Sequence, residues 1–373
     1  MKTIRKFIAV CLISVISAGN FAFAETKATK KADPYVITYD MALERAVKKS
    51  LELEKNRRQK YDIEEAGNDL DRNYRTVRDL KKQNVDTSEM ENKLYVAGKK
   101  YTMGKEFNEK SEDFTKHLLA LTIRRLFNSI DSNKRALEIL DEQIALKEGQ
   151  RGIDGVRIDR GMMSRDDYNE SENELKLLKK TREQKELEIK KNLIELNSYL
   201  KFKDIEKYTF VPIEYTFEKM NLTDSQVETR GYQASYSNIS IFAKNNGIKT
   251  EQLILDNNLY EGNRSLKQAD IEIENAALMK MKDDIRENVK RQYNDISLLG
   301  ESIDLIELKI SDKEKEILNE NKKLAVGKTA SFPVKAKEVE LSALKNSLKD
   351  AVVNYETAKV AFNDKYFAGY YEQ

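Results

Sequence analysis

The sequence predicts an all-α protein built from long antiparallel coiled-coil hairpins in two tandem repeats. Three observations lead there. Only 14 of the 373 residues are glycine and 3 are proline, so turns are few and the elements between them are long. Charged residues make up 35% of the chain, above the ~25% of an ordinary globular domain, which suits extended solvated helix faces. Apolar residues recur at spacings of three and four: Val289, Tyr293, Ile296, Ile303, Ile306, Ile310 and Ile317 form one seam, and Leu341, Leu344, Leu348, Val352, Tyr355 and Phe362 another. Such spacing makes a narrow stripe on a helix. An all-β sandwich would need a turn signal every ~8–12 residues.

The chain repeats itself. Arg124–Ile130 matches Lys290–Ile296 at an offset of 166, and the same offset pairs Leu137 with Ile303, Gly161 with Gly327, Leu175 with Leu341 and Asn197 with Asn363. Ile37-Thr38 matches Leu222-Thr223 at an offset of 185. The first half therefore holds about 19 extra residues between Ala66 and Ile123.

Taken in order, residues 1–24 read as a secretory signal peptide. Lys2, Arg5 and Lys6 form a basic start, Phe7 to Ile16 an apolar run too short to span a bilayer, and Ala22-Phe23-Ala24 a cleavage site. Residues 25–37 are expected to be extended, 38–203 to form the first helical repeat, 204–222 a connector with a short extended piece around Tyr208–Phe217, and 223–373 the second repeat. Helices are predicted over 39–83, 105–148, 164–200, 224–256, 264–325 and 332–365. Thr223 with Gln226 reads as a capping box, with Leu222 and Val227 as its hydrophobic staple. Ser164 with Asp167 gives a similar start, and Pro333 suits a first turn after Ser331.

The same composition excludes most chemistry. One His and one Cys, the latter inside the leader, remove zinc sites, disulfide frameworks and Cys/His catalytic pairs. His117 lies in a helical run and reads as structural. Gly149, Gly152, Gly155 and Gly161 match neither dinucleotide nor P-loop spacing, and are expected to loosen a helix end and form a turn. Without the leader the chain carries 63 basic and 64 acidic residues, so nothing drives nucleic-acid binding. No constellation supports an enzyme, a cofactor or a metal. The two turns, Asp159–Tyr168 and Ala325–Val334, occupy the same place in each repeat and are the candidate functional surface.

Thr38–Ala46 looks like the opening helix of the TolC-like outer-membrane efflux proteins, followed by a charged run through Asn56 to Ala66. Each half then has a glycine turn and a long Leu/Ala-patterned helix, Ser164–Leu200 and Ser331–Asn363, and the whole order occurs twice. The chain resembles that family over about Thr38 to Phe367. The resemblance implies a homotrimer forming an α-helical export tunnel, no enzymatic activity, and turns that meet a periplasmic adaptor working with an inner-membrane transporter. Carried over, Gly161, Met162, Met163, Ser164 and Asp167, with Gly327, Lys328, Thr329 and Ser331, would be the partner-binding tips. It implies an exported chain of the cell envelope: periplasm or outer membrane where there are two membranes, otherwise secreted or cell-wall associated.

One departure from the family is visible. Its members carry β-hairpins that close a barrel in the membrane, whereas residues 84–107 offer only a stub, Lys93–Val96 and Tyr101–Met103 around Ala97-Gly98-Lys99-Lys100, and Asp256–Leu266 is shorter still. Little or no barrel is expected. The competing reading is a non-conducting envelope spacer or interaction protein that has lost the membrane barrel.

Overall fold

The computed structural model describes residues 35–370; the expected signal peptide and residues 25–34 of the expected extended segment lie outside the described residues. Val36–Ile37 (β1) begins the described chain and pairs in parallel with Thr209–Phe210 (β2). Among the described residues, eight α-helices follow one plan twice. The first half holds α1 (Tyr39–Lys49), α2 (Leu51–Lys82), α3 (Ser88–Asp159) and α4 (Arg165–Leu200); the second holds α5 (Asp224–Ser237), α6 (Ile239–Asp256), α7 (Arg264–Ala325) and α8 (Ser331–Asn363). The long α3 and α7 are the spines, packing on α4 and α8 respectively.

The repeat extends to individual ion pairs. Lys147 bonds Glu174 and Lys179 bonds Glu148 (2.7 Å) between α3 and α4. Lys313–Glu340 and Lys345–Glu314, each 2.9 Å, repeat both pairs 166 residues later between α7 and α8. The halves meet along α3 and α8, where Arg135 bonds Asn346 (2.9 Å) and Asp350. Because α3 rises toward its turn and α8 descends from its own, this seam puts both glycine turns at one pole.

Each half has its own core. Ile123, Leu126, Phe127, Ile130, Leu196 and Leu200 close the first; Val289, Ile296, Ile303, Tyr355 and Phe362 close the second. The expected capping box at Thr223 and Gln226 is present, with Leu222 beside Val227 in the second core.

Several sequence expectations are corrected. The helix expected over 39–83 breaks at Ser50, whose hydroxyl accepts from Leu53 N (3.3 Å) and starts a new helix. The helix expected over 224–256 breaks at Asn238, whose side chain caps the Ser240 and Ile241 amides. The extended piece expected around Tyr208–Phe217 shrinks to the two residues of β2.

The largest correction lies at the pole opposite the glycine turns. Residues 93–96 and 101–103, read as a strand stub, are helical and belong to α3, which starts at Ser88 rather than 105. The extra residues of the first half lengthen its α2–α3 hairpin by about three helical turns per arm, about 15 Å. The physical reason is a heptad match: Asn56, Ile63, Leu70 and Val77 on α2 face Leu94, Tyr101 and Asn108 on α3. The ring of Tyr101 lies over Gly67, Tyr74 Oη donates to Leu94 O (3.0 Å), and buried Asn108 donates to Asn56 O (3.2 Å). A seven-residue period fixes a helix where three alternating residues had suggested a strand. No helix among the described residues is long and apolar enough to cross a membrane.

Candidate functional site

The two tips are built alike. Gly161 and Gly327 take left-handed backbone angles, φ 67° and φ 69°, which a Cβ disfavours. Gly161 N donates to Ile158 O (2.8 Å) and Met162 N to Arg157 O (2.8 Å); Gly327 N and Lys328 N repeat the pattern onto Leu324 and Lys323 carbonyls, at 3.0 and 2.8 Å. These bonds satisfy the last carbonyls of α3 and α7.

The helix starts after the turns differ. Ser164 caps α4 as expected, accepting from Asp167 N at 3.1 Å. Ser331 does not cap α8: it is the first helical residue, the capping position is Ala330, and no side chain bonds the free amides there. Pro333 therefore stands at the third helical position, still within the first turn where no backbone donor is lost.

Gly149, Gly152 and Gly155 do not end α3, which runs on to Asp159. A Cβ at any of the three would meet nothing within 4 Å, so they leave a bare flank. Polar bonds flank that stretch: buried Asp154 accepts from Gln150 (2.8 Å), and Arg151 bonds Tyr168 Oη at 3.3 Å across the hairpin. That bond, with Glu172 nearby, holds the Arg151 guanidinium above its usual range.

Met162 is 66% exposed and Val326 66%, so each tip presents one uncovered apolar side chain. Asp167, Lys328 and Ser331 are exposed, while Met163 and Thr329 are half-buried. No hydrogen bond or ion pair joins the two turns among the described residues. Charge separates them further. Residues 321–337 contain Lys322, Lys323, Lys328, Lys335 and Lys337 and no carboxylate, whereas Asp166, Asp167, Glu170, Glu172 and Glu174 crowd the start of α4. Above the tips the hairpins part, leaving a groove of about 620 Å³ lined by Leu146, Leu178, Val339, Ala343 and Leu344.

Sequence reading missed a second feature, the free edges. The outer helices α4 and α7 expose Leu177 (66%), Leu187 (63%) and Ile194 (72%) on one side, and Leu298 (62%), Leu305 (58%) and Leu308 (63%) on the other. Leu187 and Ile194, like Leu298 and Leu305, are seven apart. The heptad signal was in the sequence, but only the packing shows which stripes are left over.

Comparison with known proteins agrees with this architecture. No family model matches the sequence, and no curated protein matches it. Solved structures do. A membrane protein from Pseudomonas aeruginosa aligns with TM-score 0.56 at 11% identity, covering 92% of this chain and 97% of that one. The outer membrane protein VceC from Vibrio cholerae aligns with TM-score 0.57 at 7% identity, covering 86% and 94%. The CmeC outer membrane channel of Campylobacter jejuni gives TM-score 0.55 at 9% identity, covering 96% of both. The class is thus a duplicated long-hairpin helical fold. More particularly, the chain has the fold of the TolC-like outer-membrane efflux channels, in a form whose helical body dominates.

Proposed function

We propose that this chain is a non-enzymatic component of an export conduit: an oligomeric helical tube, most simply a trimer, whose glycine-turn tips dock an adaptor protein that works with an inner-membrane transporter. The carrying observation is the pair of free apolar edges on α4 and α7. An edge of one kind on each side is what a head-to-tail ring needs, since each copy offers α4 to a neighbour's α7. Joining copies removes apolar stripes from water at ~25 cal/mol per Å².

A second reading is favoured by one specific observation, the helical character of residues 88–104. The α2–α3 hairpin occupies the place where the family resemblance led one to look for barrel strands. On that reading the ring is an envelope spacer that touches partners without conducting cargo. Both readings place the exported chain in the cell envelope.

Cysteines at Leu187 and Leu305, with Cys11 removed with the leader or replaced by serine, test the assembly. Oxidation is expected to give a covalent ladder ending at the trimer. A monomer under oxidation and in sedimentation would overturn the ring. For the tips, Asp167→Lys with Lys328→Glu is expected to abolish adaptor co-purification while helicity by circular dichroism stays unchanged. Unaltered co-purification would make the tips mere turns.

A further inference from the structure

The two free edges differ in charge as well as in helix. On α4 the outward stripe includes Glu170, Leu177, Lys180, Leu187, Lys191 and Ile194; on α7 it includes Leu298, Glu301, Leu305, Leu308, Asp312 and Lys322, all of them exposed. Leu175 and Leu196 of α4, and Ile296 and Ile303 of α7, are buried on the opposite flank. Charges nearer the core are paired within the hairpins: Lys179 with Glu148 (2.7 Å), Arg182 with Asp141 (2.6 Å) and Lys345 with Glu314 (2.9 Å). On the stripes the charges are left over. Among the described residues, Glu170, Lys180, Lys191, Glu301 and Lys322 have no ion-pair partner within the chain, and Asp312 has only Lys315, one turn along its own helix (3.0 Å).

Their order is complementary between the edges. The start of α4 at Arg165 and the end of α7 at Ala325 both adjoin the glycine turns, which lie at one pole. Glu170, Lys180 and Lys191 stand 5, 15 and 26 residues above Arg165; Lys322, Asp312 and Glu301 stand 3, 13 and 24 above Ala325. Leu187 and Ile194, at 22 and 29, match Leu305 and Leu298, at 20 and 27. One constant difference of two residues, about 3 Å along a helix, thus sets acid against base three times and apolar against apolar twice.

The same charges forbid like edges from joining. A twofold pair of α4 edges that matched Leu177 with Ile194 would set Lys180 against Lys191. A twofold pair of α7 edges that matched Leu305 with Leu308 would set Glu301 against Asp312. The apolar residues alone would permit both pairings. Exposed ion pairs add little affinity one by one, but like charges brought face to face exclude a wrong partner.

We propose, on the ring reading above, that these charges choose the neighbour: each edge rejects a second copy of itself and accepts the other edge of the next copy. The partner of the α4 edge is then the α7 edge of another chain, joined head to tail, the heterologous contact from which rings close. Glu170, Lys180 and Lys191 on one side, and Glu301, Asp312 and Lys322 on the other, determine that choice, while the leucines supply the buried surface.

Sedimentation of the mature chain at about 50 mM and about 500 mM salt tests the choice, because salt screens exposed charges beyond about 10 Å at 0.1 M. Lys180→Glu with Lys191→Glu makes both edges acidic, and Glu301→Lys with Asp312→Lys makes both basic. At low salt each double variant is expected to assemble only at concentrations at least about tenfold above wild type, with unchanged helicity by circular dichroism. High salt should bring both variants back toward wild type and weaken the wild type itself. All four substitutions in one chain invert both edges and are expected to restore assembly to within about threefold of wild type, as coupled charges require. Double variants that assemble like wild type, or a fourfold variant no better than either pair, would overturn the charge selection and leave the ring standing. A wild type that stops at a dimer would show like edges pairing and overturn the selection. A wild type that stays monomeric at every concentration would overturn the ring and the selection with it.

Discussion

Where the first half carries Phe127, the second carries Tyr293, and the two rings do different work. Phe127 is 3% exposed and packs edge-on against Tyr39 (6.1 Å) and Phe210 (5.3 Å). Tyr293 is only half-buried, and its hydroxyl both accepts from Leu222 N (2.9 Å) and donates to Leu222 O (3.1 Å). Tyr355 Oη accepts from Met220 N (2.5 Å), with its ring against Gly300. The first half thus holds the connector through apolar contact, a two-residue strand pair and a side-chain bond from Asn128 to Tyr215 Oη (2.9 Å), the second through tyrosine hydroxyls on free backbone groups. One duplicated helical plan is closed by two chemistries, because the repeat dictates helix faces and leaves the connector to whatever side chains reach it.

The largest effects are expected in the cores. Leu196→Ala and Phe362→Ala remove equivalent buried side chains, 0% and 1% exposed, and should cost about 2–5 and about 3–5 kcal/mol respectively. Hydrogen exchange should quicken in α1, α3 and α4 for the first and in α5, α7 and α8 for the second. Equal quickening throughout would erase the distinction between two cores.

Tyr355→Phe should cost about 1–3 kcal/mol by urea denaturation, since the part-buried Met220 N–H loses its acceptor while the ring remains. A neutral result would mean that the connector does not depend on hydroxyls.

A pH effect should arise in the first half through Tyr39. Burial pushes the Tyr39 phenol up to about 12 against Arg124, while Tyr39 Oη donates to Ala120 O (3.0 Å). The folded state then holds this proton more tightly than the unfolded chain. Its contribution is complete below about pH 10 and is lost as pH rises toward 12. Tyr39→Phe should flatten that alkaline limb, read as melting temperature against pH; an unchanged limb would assign it elsewhere.

The smallest effects compare the tips. Ser164→Ala should cost about 1 kcal/mol, and Ala330→Ser should add about 0.5–1 kcal/mol by supplying the missing cap. Thermal melts that move in the same direction for both would show that the tips do not differ in this way.

Much of the fold was legible because helix periodicity and turn chemistry are local. Gly161 and Gly327 were readable as turns since few L-residues tolerate a positive φ, and the Thr223 and Ser164 caps since their partners lie three residues on. Gly149, Gly152 and Gly155 misled for the same local reason. A helical glycine costs about 1 kcal/mol, yet α3 runs unbroken through all three to Asp159. Ala97-Gly98-Lys99-Lys100 resembled a turn until the α2 heptads opposite it were seen. Of the candidate site, the tip positions were readable, whereas the missing cap at Ala330 and the leftover stripes on α4 and α7 were not.

By itself the sequence determined the helical class, the duplication, the two glycine turns and the seams within each hairpin, all carried by spacings of a few residues. Tertiary structure alone decided that α3 lies beside α8, that the α2–α3 hairpin outreaches its counterpart, and that residues 364–370 return to His117 on α3. Asp364 is 247 residues from His117, and no periodic pattern spans that distance. Such a contact exists because the two hairpins pack along α3 and α8, which brings the residues after α8 onto α3.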